Sequence, residues 1–239
     1  MKAIIIGDTH FPNQSDEAIG QFEDILTDLV AHDPQNELEL ILNGDILDCF
    51  DISQFLRVER GSLRREFDLA YEFLKEWRRI MGDRKITYIA GNHEHRLRRY
   101  VVSLAPEIYE FVPRINTILG LETLKIEWVD LPERMARFKD NYISWNGVLI
   151  GHFDRVQKFS CYTAKNLVQD KGQSIVQAHT HRAGMYFQTF PNRTLFGIEG
   201  GCLCKLETNY TVDANWQRAV TILTLKDGTV YPELKWIKS

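Results

Sequence analysis

The sequence has few cysteines and no long hydrophobic run. Its four cysteines, Cys49, Cys161, Cys202 and Cys204, are irregularly spaced among 239 residues. This spacing does not predict a disulfide framework, and we expect buried or edge thiols in a reducing compartment. No apolar run approaches the roughly 20 residues of a membrane-spanning helix, and the N-terminal apolar stretch is too short for a signal peptide. We therefore expect a cytoplasmic protein that does not associate with a membrane.

The chain also lacks an excess of positive charge, internal repeats, low-complexity tracts and linkers rich in proline or serine. Its formal net charge of −4 argues against a basic surface that coats nucleic acid, although a local positive groove remains compatible with it. Hydrophobic residues make up 44% of the sequence, enough for a substantial core. We predict a single domain over residues 1–239, without a separate cap domain.

Strands and helices alternate in the first half of the chain. The runs KAIII, LELILN and KITYIA predict strands because they are short, apolar and rich in β-branched residues. Helical spacing follows each of them: around residues 19–30, where Ser15 or Asp16 would be the N-cap, along residues 67–81, and from about Glu94. We expect the third helix to bury four side chains, namely Leu97, Tyr100, Val101 and Leu104.

After about residue 125 the pattern changes to many short strands, with one helix near Ser160–Gln169. The alternation in the first half predicts an α/β sheet with helices on its faces. A second sheet packed against the first is the simplest arrangement for the later strands. The expected fold class is therefore α/β with two sheets.

Five of the apolar runs end in polar residues of an unusual kind: IIIGDTH, ILNGDILD, YIAGNHEH, VLIGH and IVQAHTH. Open α/β sheets bind ligands at the carboxyl ends of their strands, so we expect these residues to meet at one edge. Turn formation alone does not explain why five of the seven histidines lie here. The nine residues are Asp8, His10, Asp45, Asp48, Asn92, His93, His152, His179 and His181.

Carboxylates and imidazoles without paired cysteines suit manganese, iron or zinc ions better than a cysteine-rich structural zinc site. Two such ions, held about 3.5–4 Å apart by a bridging carboxylate, can contact both the attacking and the leaving oxygen of a phosphoryl group. Water bound to the pair loses a proton near neutral pH and becomes a nucleophile. The residues alone therefore indicate a dinuclear metal site suited to phosphoester hydrolysis.

The ordered set GDTH, GDILD, GNHE, GH and AHTH, between residues 7 and 181, resembles the signature of the calcineurin-like metallophosphoesterases. The resemblance implies a four-layer α/β/β/α sandwich of two mixed β-sheets flanked by helices. It also implies two divalent metal ions in a crevice above the sheets. We expect manganese, with iron, zinc, nickel or cobalt as alternatives, and a metal-bound hydroxide that attacks phosphorus.

The resemblance also implies a role for each residue of the set. Seven would be metal ligands: Asp8, His10 and His181 on the first ion, Asn92, His152 and His179 on the second, and Asp45 on both. His93 would contact the substrate and protonate the leaving oxygen. Asp48 would orient His93 and favour its imidazolium form.

Three departures from the family pattern narrow the expected branch. Cys49 stands where phosphoprotein phosphatases have an arginine, which argues against a phosphoprotein substrate. The GH motif continues as GHFD, and Asp154 is interpreted as a loop cap in preference to a support for a metal ligand. Ala178 replaces a glycine without the loss of a ligand. Since no active-centre position is missing, we do not expect a scaffold that has lost its chemistry.

Several arginines lie close to the metal motifs in the sequence. Arg96 and Arg182 adjoin the metal motifs and are the predicted substrate-binding residues. Other basic residues form either a rim for phosphate-rich substrates or a solvated helix face interleaved with Glu59 and Glu66; they are Arg98 and the cluster Arg57, Arg60, Arg64 and Arg65. His95 is expected to face the crevice more than His32 does.

Four strand aromatics could stack on bases, but we expect them in the core; they are Tyr186, Phe187, Phe190 and Phe196. An uncapped crevice would admit a bulky phosphodiester. The preferred hypothesis is therefore a phosphodiesterase or nuclease that acts on nucleic acid or nucleotides. The alternatives are a phosphomonoesterase for small molecules and, less favoured, a metal-binding scaffold without turnover.

Overall fold

The computed structural model describes residues 1–54, 61–130, 141–207 and 214–238. Its strands form two sheets, one with the order β11-β10-β1-β2-β3-β4 and one with the order β5-β6-β7-β9-β8. The strands are β1 (Lys2–Ile6), β2 (Leu38–Asn43), β3 (Ile86–Ile89), β4 (Glu127–Val129), β5 (Tyr142–Trp145), β6 (Val148–Gly151), β7 (Ser174–Gln177), β8 (Ala183–Phe190), β9 (Arg193–Gly200), β10 (Ala219–Lys226) and β11 (Thr229–Trp236).

Both sheets are mixed. In the first sheet β1 to β4 run parallel, β10 pairs antiparallel with β1, and β11 pairs antiparallel with β10. In the second sheet β6, β7 and β9 run parallel, and the edge strands β5 and β8 pair with them antiparallel. The described helices are α1 (Asp16–Ala31), α2 (Leu63–Met81), α3 (His95–Leu104), α4 (Ile115–Ile118) and α5 (Tyr162–Lys171), with 3₁₀ segments at Phe50–Ile52 and Pro106–Phe111. None of them is both long and apolar enough to cross a bilayer.

Alternation along the strands produces the layers. Ile4 and Ile6 of β1 point into a core shared with α1 and α2, while Ile5 points into the core between the two sheets. A third core packs α5 against the outer face of the second sheet through Leu167 and Ile175. The fold is thus two mixed sheets flanked by helices, as the resemblance implied.

The predicted elements occur largely where the sequence places them, and one ambiguity is resolved. Ser15, not Asp16, is the N-cap of α1, because its Oγ accepts a hydrogen bond from the backbone N–H of Ala18 at 3.3 Å. Asp16 instead lies in the first turn, where its charge is favourable to the helix dipole.

The predicted burial of α3 is wrong for two residues. Tyr100 is 44% and Leu104 is 66% exposed, and only Leu97 and Val101 are half-buried. The main contacts of α3 are with the short 3₁₀ segments Phe50–Ile52 and Pro106–Phe111, and these segments leave Tyr100 and Leu104 exposed.

Of the aromatic residues in β8 and β9 that were predicted to lie in the core, only some are buried. Phe196 of β9 is buried in the core between the sheets, as expected, and Tyr186 is half-buried. Phe187 and Phe190 of β8 are 54% and 38% exposed, so the expectation that they belong to the core is wrong. β8 is an edge strand, which leaves part of its surface uncovered.

Trp77 offers a test of the core between α1 and α2. Its side chain is fully buried, its ring meets Phe22 edge-on at 5.5 Å, and its Nε1 donates to Glu23 at 2.9 Å. We expect Trp77→Ala to lower the free energy of unfolding by about 3–5 kcal/mol in chemical denaturation. Trp236→Ala, at a side chain that is 60% exposed, is the control and should change it by less than about 0.5 kcal/mol. Equal losses in both variants would contradict this assignment of the core.

Candidate metal centre

The residues at the candidate site follow five parallel strand ends. Asp8 follows β1, Asp45 follows β2 and Asn92 follows β3 in the first sheet, while His152 follows β6 and His179 follows β7 in the second. β1, β2 and β3 are neighbours, as are β6 and β7. Because the two sheets face each other, the five loops meet at one end of the sandwich.

Several of these residues have an unusual backbone. Asp8, His10, Asp45, His179 and His181 all have positive φ, between 50° and 72°. The left-handed region costs a residue with a side chain about 1–3 kcal/mol and is maintained only where surrounding contacts fix it. Here the backbone N–H of Asp8 donates to the carbonyl of Gly44, that of His10 to the carbonyl of Asp45, and that of His179 to Oδ2 of Asp8. The strained loops therefore fix one another.

Asp8, His10 and His181 form a first cluster of ligand atoms. Nε2 of His10 and Nε2 of His181 are 3.0 Å apart, and Oδ1 of Asp8 lies 3.3 Å from Nε2 of His181 and 3.8 Å from Nε2 of His10. All three side chains are buried. A cation placed among these atoms would meet three donors from two different sheets.

Asp45, His152 and His179 form a second cluster, which Asn92 joins. Nε2 of His152 lies 3.2 Å from Oδ2 of Asp45, 3.0 Å from Oδ1 of Asn92 and 3.2 Å from Nδ1 of His179. Oδ2 of Asp45 is also 4.0 Å from Nε2 of His10 in the first cluster. The Asp45 carboxylate therefore lies between the two clusters.

The chemistry of these atoms fits divalent cations. Nε2 of His10 and Nε2 of His181 face each other, and a cation beside them would accept a lone pair from each neutral ring. Oδ1 of Asp8 is buried and accepts no hydrogen bond from the described residues. Carboxylate oxygen, amide oxygen and imidazole nitrogen are ligands of manganese, iron and zinc. The clusters thus indicate divalent metal ions.

The clusters hold their carboxylates in the charged form. Burial alone would raise the pKa of Asp45, but the adjacent His152 and His93 lower it well below its ordinary value. The pKa of Asp8 is lowered too, since His181 and His10 outweigh the effect of burial. For His152 burial would lower the pKa, yet Asp45 raises it to about 9. The site is therefore prepared to bind positive charge.

His93 lies beside the clusters with Asp48 and Arg96. Its Nδ1 is 2.8 Å from the backbone oxygen and 3.2 Å from Oδ1 of Asp48, and its Nε2 accepts from Arg96 Nη2 at 2.7 Å. Arg96 also donates to the backbone oxygen of Asp48 at 2.7 Å. Asp48 contacts His93 as expected. Burial is the larger effect on the pKa of His93 and lowers it to about 4, although the hydrogen bond to Asp48 raises that pKa, as expected.

Glu94 is a buried residue to which the sequence analysis gave no role. Its Oε2 accepts from the backbone N–H groups of Asp45 and Gly91, and its Oε1 accepts from the N–H of Leu47 and the hydroxyl of Tyr88, at 2.7–3.0 Å. It therefore ties the loop after β2 to the loop after β3. The glutamate of the GNHE motif was the sequence signal that could have predicted a role for Glu94 at the site.

Gly91 permits the close approach of these two loops. A Cβ at this position would overlap the carboxylate of Asp45 and lie 2.5 Å from its backbone nitrogen. Glu94 holds the backbone nitrogen of Asp45, and the N–H of His93 donates to Oδ1 of the Asp45 carboxylate, so both are already fixed. A side chain at Gly91 would thus displace the carboxylate that lies between the clusters.

Asp154 supports a site residue, and its interpretation as a loop cap is wrong. Its Oδ1 lies 3.2 Å from Nε2 of His179, whose Nδ1 faces the second cluster. Cys204 has a comparable position, since its Sγ is 3.9 Å from Nδ1 of His181. Cys202 and Cys204 are both buried, as predicted.

Other predicted residues lie elsewhere. Arg182 donates to the backbone oxygen of Gln157 at 2.7 Å and does not line the cavity above the clusters. His95 is buried beside Arg98 in a separate cavity, so its expected position in the crevice is wrong. Glu66 is not on a solvated face: it is buried, it accepts from the backbone N–H of Cys49 at 2.6 Å, and burial raises its pKa to about 7.

The arginine cluster that extends into the first turn of α2 is only partly described. Arg64 and Arg65 are exposed, and Arg64 pairs with Asp68 at 3.7 Å on the surface of the helix. Arg57, Arg60 and Glu59 lie outside the described residues. The described members therefore correspond to the solvated face that the sequence analysis left open.

A cavity of about 560 Å³ lies above the two clusters. Phe50 and Trp216 are part of its wall, and the sequence analysis assigned neither of them to the site. Trp216 lies 35 residues beyond His181, after the last recognisable motif. The residues that line the cavity are His10, Asp45, Asp48, Phe50, Asn92, His93, Arg96, His179, His181 and Trp216.

Comparison with known proteins identifies the family. Residues 1–184 match the family model of the calcineurin-like phosphoesterases. The chain belongs to this family. Calcineurin-like phosphoesterases are metal-dependent hydrolases of phosphoester bonds, and the aspartate and histidine clusters agree with that chemistry. The protein is thus a metal-dependent phosphoester hydrolase.

Similar proteins include the gene 54 protein of Mycobacterium phage L5, which is 26% identical over 251 residues that cover 98% of this chain and 92% of the phage protein. Among solved structures, a single mutant of Vps29 from Entamoeba histolytica is 12% identical over 100% of both chains with a TM-score of 0.44. The Pseudomonas putida nuclease MPE is 14% identical over 97% of this chain and 87% of its own, with a TM-score of 0.40.

Removal of the Glu94 carboxylate tests the link between the loops. Glu94→Ala would leave the buried N–H groups of Asp45, Leu47 and Gly91 without their acceptor, at a cost of about 1–3 kcal/mol each. We expect a lower free energy of unfolding in urea and a loss of bound metal by elemental analysis. Glu122→Ala, at an exposed glutamate, is the control. Unchanged stability and metal content in Glu94→Ala would show that the loops hold together without it.

Proposed function

We propose that the protein hydrolyses phosphodiester bonds in nucleic acid or nucleotides with two divalent metal ions, manganese foremost. The observation that carries this proposal is the position of Asp45, whose Oδ2 is 3.2 Å from His152 in one cluster and 4.0 Å from His10 in the other. A carboxylate between two sets of ligand atoms is the arrangement that two adjacent cations require.

In this proposal seven side chains hold the ions: Asp8, His10 and His181 for the first, Asn92, His152 and His179 for the second, and Asp45 for both. When bound, two such ions polarise the phosphoryl group and lower the pKa of a bound water. Asp154 and Cys204 restrict the orientation of the His179 and His181 rings.

Three residues beside the clusters would act on the substrate: His93 and Arg96 directly, and Asp48 through His93. Asp48 holds Nδ1 of His93, so Nε2 is the ring nitrogen that would face the leaving oxygen, and it would first take up a proton from solvent and then donate it. That nitrogen lies 2.7 Å from Arg96 and 3.6 Å from Asp45. Arg96 places a permanent positive charge in the cavity, where it would bind a non-bridging phosphate oxygen.

The charge in the cavity supports a diester over a monoester. Among the described residues that line it, Arg96 is the only arginine or lysine. A phosphodiester carries one negative charge whereas a monoester near neutral pH carries up to two, so the single arginine matches the diester. The volume of about 560 Å³ would also accommodate groups on both sides of the phosphorus.

The organisation of the chain supports an uncapped site. The described residues between His93 and His152 form α3, α4, β4, β5 and β6, together with the 3₁₀ segment Pro106–Phe111. The strands among them belong to the two sheets of the sandwich. A single domain over residues 1–239 remains part of this proposal, as does a reducing, cytoplasmic location, which the four free cysteines support.

Model substrates test the preference for diesters. In Mn²⁺ we expect a higher kcat/KM for bis-p-nitrophenyl phosphate than for p-nitrophenyl phosphate, and no hydrolysis after treatment with EDTA. The reverse ranking would identify a phosphomonoesterase. Absence of turnover with manganese, nickel, cobalt, iron and zinc alike would favour a metal-binding scaffold. Assays on single-stranded and duplex DNA then extend the comparison to nucleic acid.

Two substitutions separate the roles of site residues. His93→Ala should keep the metal content of the wild type and lose about 10²–10⁴-fold in kcat, the usual contribution of general acid–base catalysis. Asp45→Ala should lose metal, because it removes the carboxylate between the clusters. Elemental analysis measures the metal content of both variants, and steady-state kinetics measures their kcat. A His93→Ala protein without metal would place His93 among the ligands.

A further inference from the structure

Two aromatic side chains that no motif contains are part of the wall of the cavity. Phe50 begins the 3₁₀ segment that follows Asp48, whereas Trp216 packs against His181 with ring centroids 4.3 Å apart. Both residues line the same cavity as Arg96, Asp45 and the histidines. The cavity therefore combines a charged floor with an aromatic wall.

The Trp216 ring is fixed in place. It is tilted by 59° against the His181 ring, and His181 is itself buried and held by Asp8 and His10. The residue after Trp216 is joined to the site by two hydrogen bonds: the backbone N–H of Gln217 donates to the carbonyl of His181, and the carbonyl of Gln217 accepts from the N–H of Cys202. A pre-positioned aromatic ring loses little entropy when a planar ligand stacks on it.

The aromatic wall would be of little use for phosphate alone. The cavity, at about 560 Å³, lies within the roughly 300–1,000 Å³ of sites that enclose ligands of drug-like size. A ligand whose phosphate lies on the floor beside Arg96 would place its substituents along the wall. Aromatic side chains bind unpaired nucleobases by stacking on their faces, with little preference for sequence.

We propose that Trp216 forms a subsite for a nucleobase next to the scissile phosphate, with Phe50 as a second apolar surface of the same cavity. This inference rests on the proposed phosphodiesterase function and names its substrate class. It assigns the stacking role to Trp216 and not to the β8 and β9 aromatics, which the sequence analysis expected in the core.

The test compares ligands that share charge and backbone but differ in their rings. Isothermal titration of the Mn²⁺-loaded protein uses a dithymidine methylenephosphonate, which cannot be hydrolysed, its abasic counterpart, and an analogue with phenyl groups in place of the bases. Wild type should bind the dithymidine compound about 5- to 100-fold more tightly than the abasic one, the range that stacking contributes per base. Tight binding of the phenyl analogue would support stacking as the source of this preference.

Two substitutions at the same position separate stacking from support of His181. Trp216→Leu keeps an apolar side chain against His181 but removes the ring. It should reduce the preference for the base at least fivefold, which corresponds to about 1 kcal/mol. Trp216→Phe keeps a ring and should retain most of the preference. Phe187→Ala removes an exposed aromatic of β8 outside the cavity and should leave it unchanged.

The outcomes that overturn the inference are distinct from failure of the proposed function. Equal affinity of wild type for the dithymidine and abasic ligands, no measurable binding of either, or a preference that survives in Trp216→Leu would each overturn it. A fall in affinity for both ligands in equal proportion would assign Trp216 to the support of His181 and overturn it as well. Hydrolysis of bis-p-nitrophenyl phosphate by the same preparation tests the phosphodiesterase function independently.

Discussion

The structure depends on one electrostatic constraint: ionised carboxylates and the imidazoles around them are buried together at the end of the sandwich. Asp8 and Asp45 are almost inaccessible to solvent, and their charges are stabilised by His181 and His152 and not by water. Such a group of polar atoms is costly to bury unless each finds a partner. Divalent cations among these atoms would satisfy them together, which links metal binding to the stability of the loops.

The scaffold meets this constraint by rigidity. Five site residues have left-handed backbones, and each is fixed by contacts with another loop of the site and not by its own local sequence. Glu94 completes the arrangement, since one buried carboxylate accepts from three backbone N–H groups of two loops. Strands in the core support these loops, because each loop begins where a fully packed strand ends.

The elements that could be predicted from the sequence are those whose burial repeats at a regular interval along the chain. KAIII and the helix at 67–81 were predictable, since burial on one face repeats at a fixed interval. The exposure of Tyr100 and Leu104 was not, because the pattern of a helix shows which side is apolar and not what packs against it. Glu66 was misplaced because a glutamate beside Arg64 and Arg65 suggests a solvated face, and only the position of the Cys49 loop makes it a buried acceptor.

The sequence by itself determined the family, the two-sheet architecture and the identities of the residues that gather at the site. The reason is that the apolar strands and the ordered motifs at their ends are local features of the sequence. Only the tertiary structure decided which of them touch. It brought Asp154 to His179 and Trp216 to His181, directed Arg182 to Gln157, and lowered the pKa of His93. Distances, burial and electric fields depend on segments far apart in the chain, and no local pattern records them.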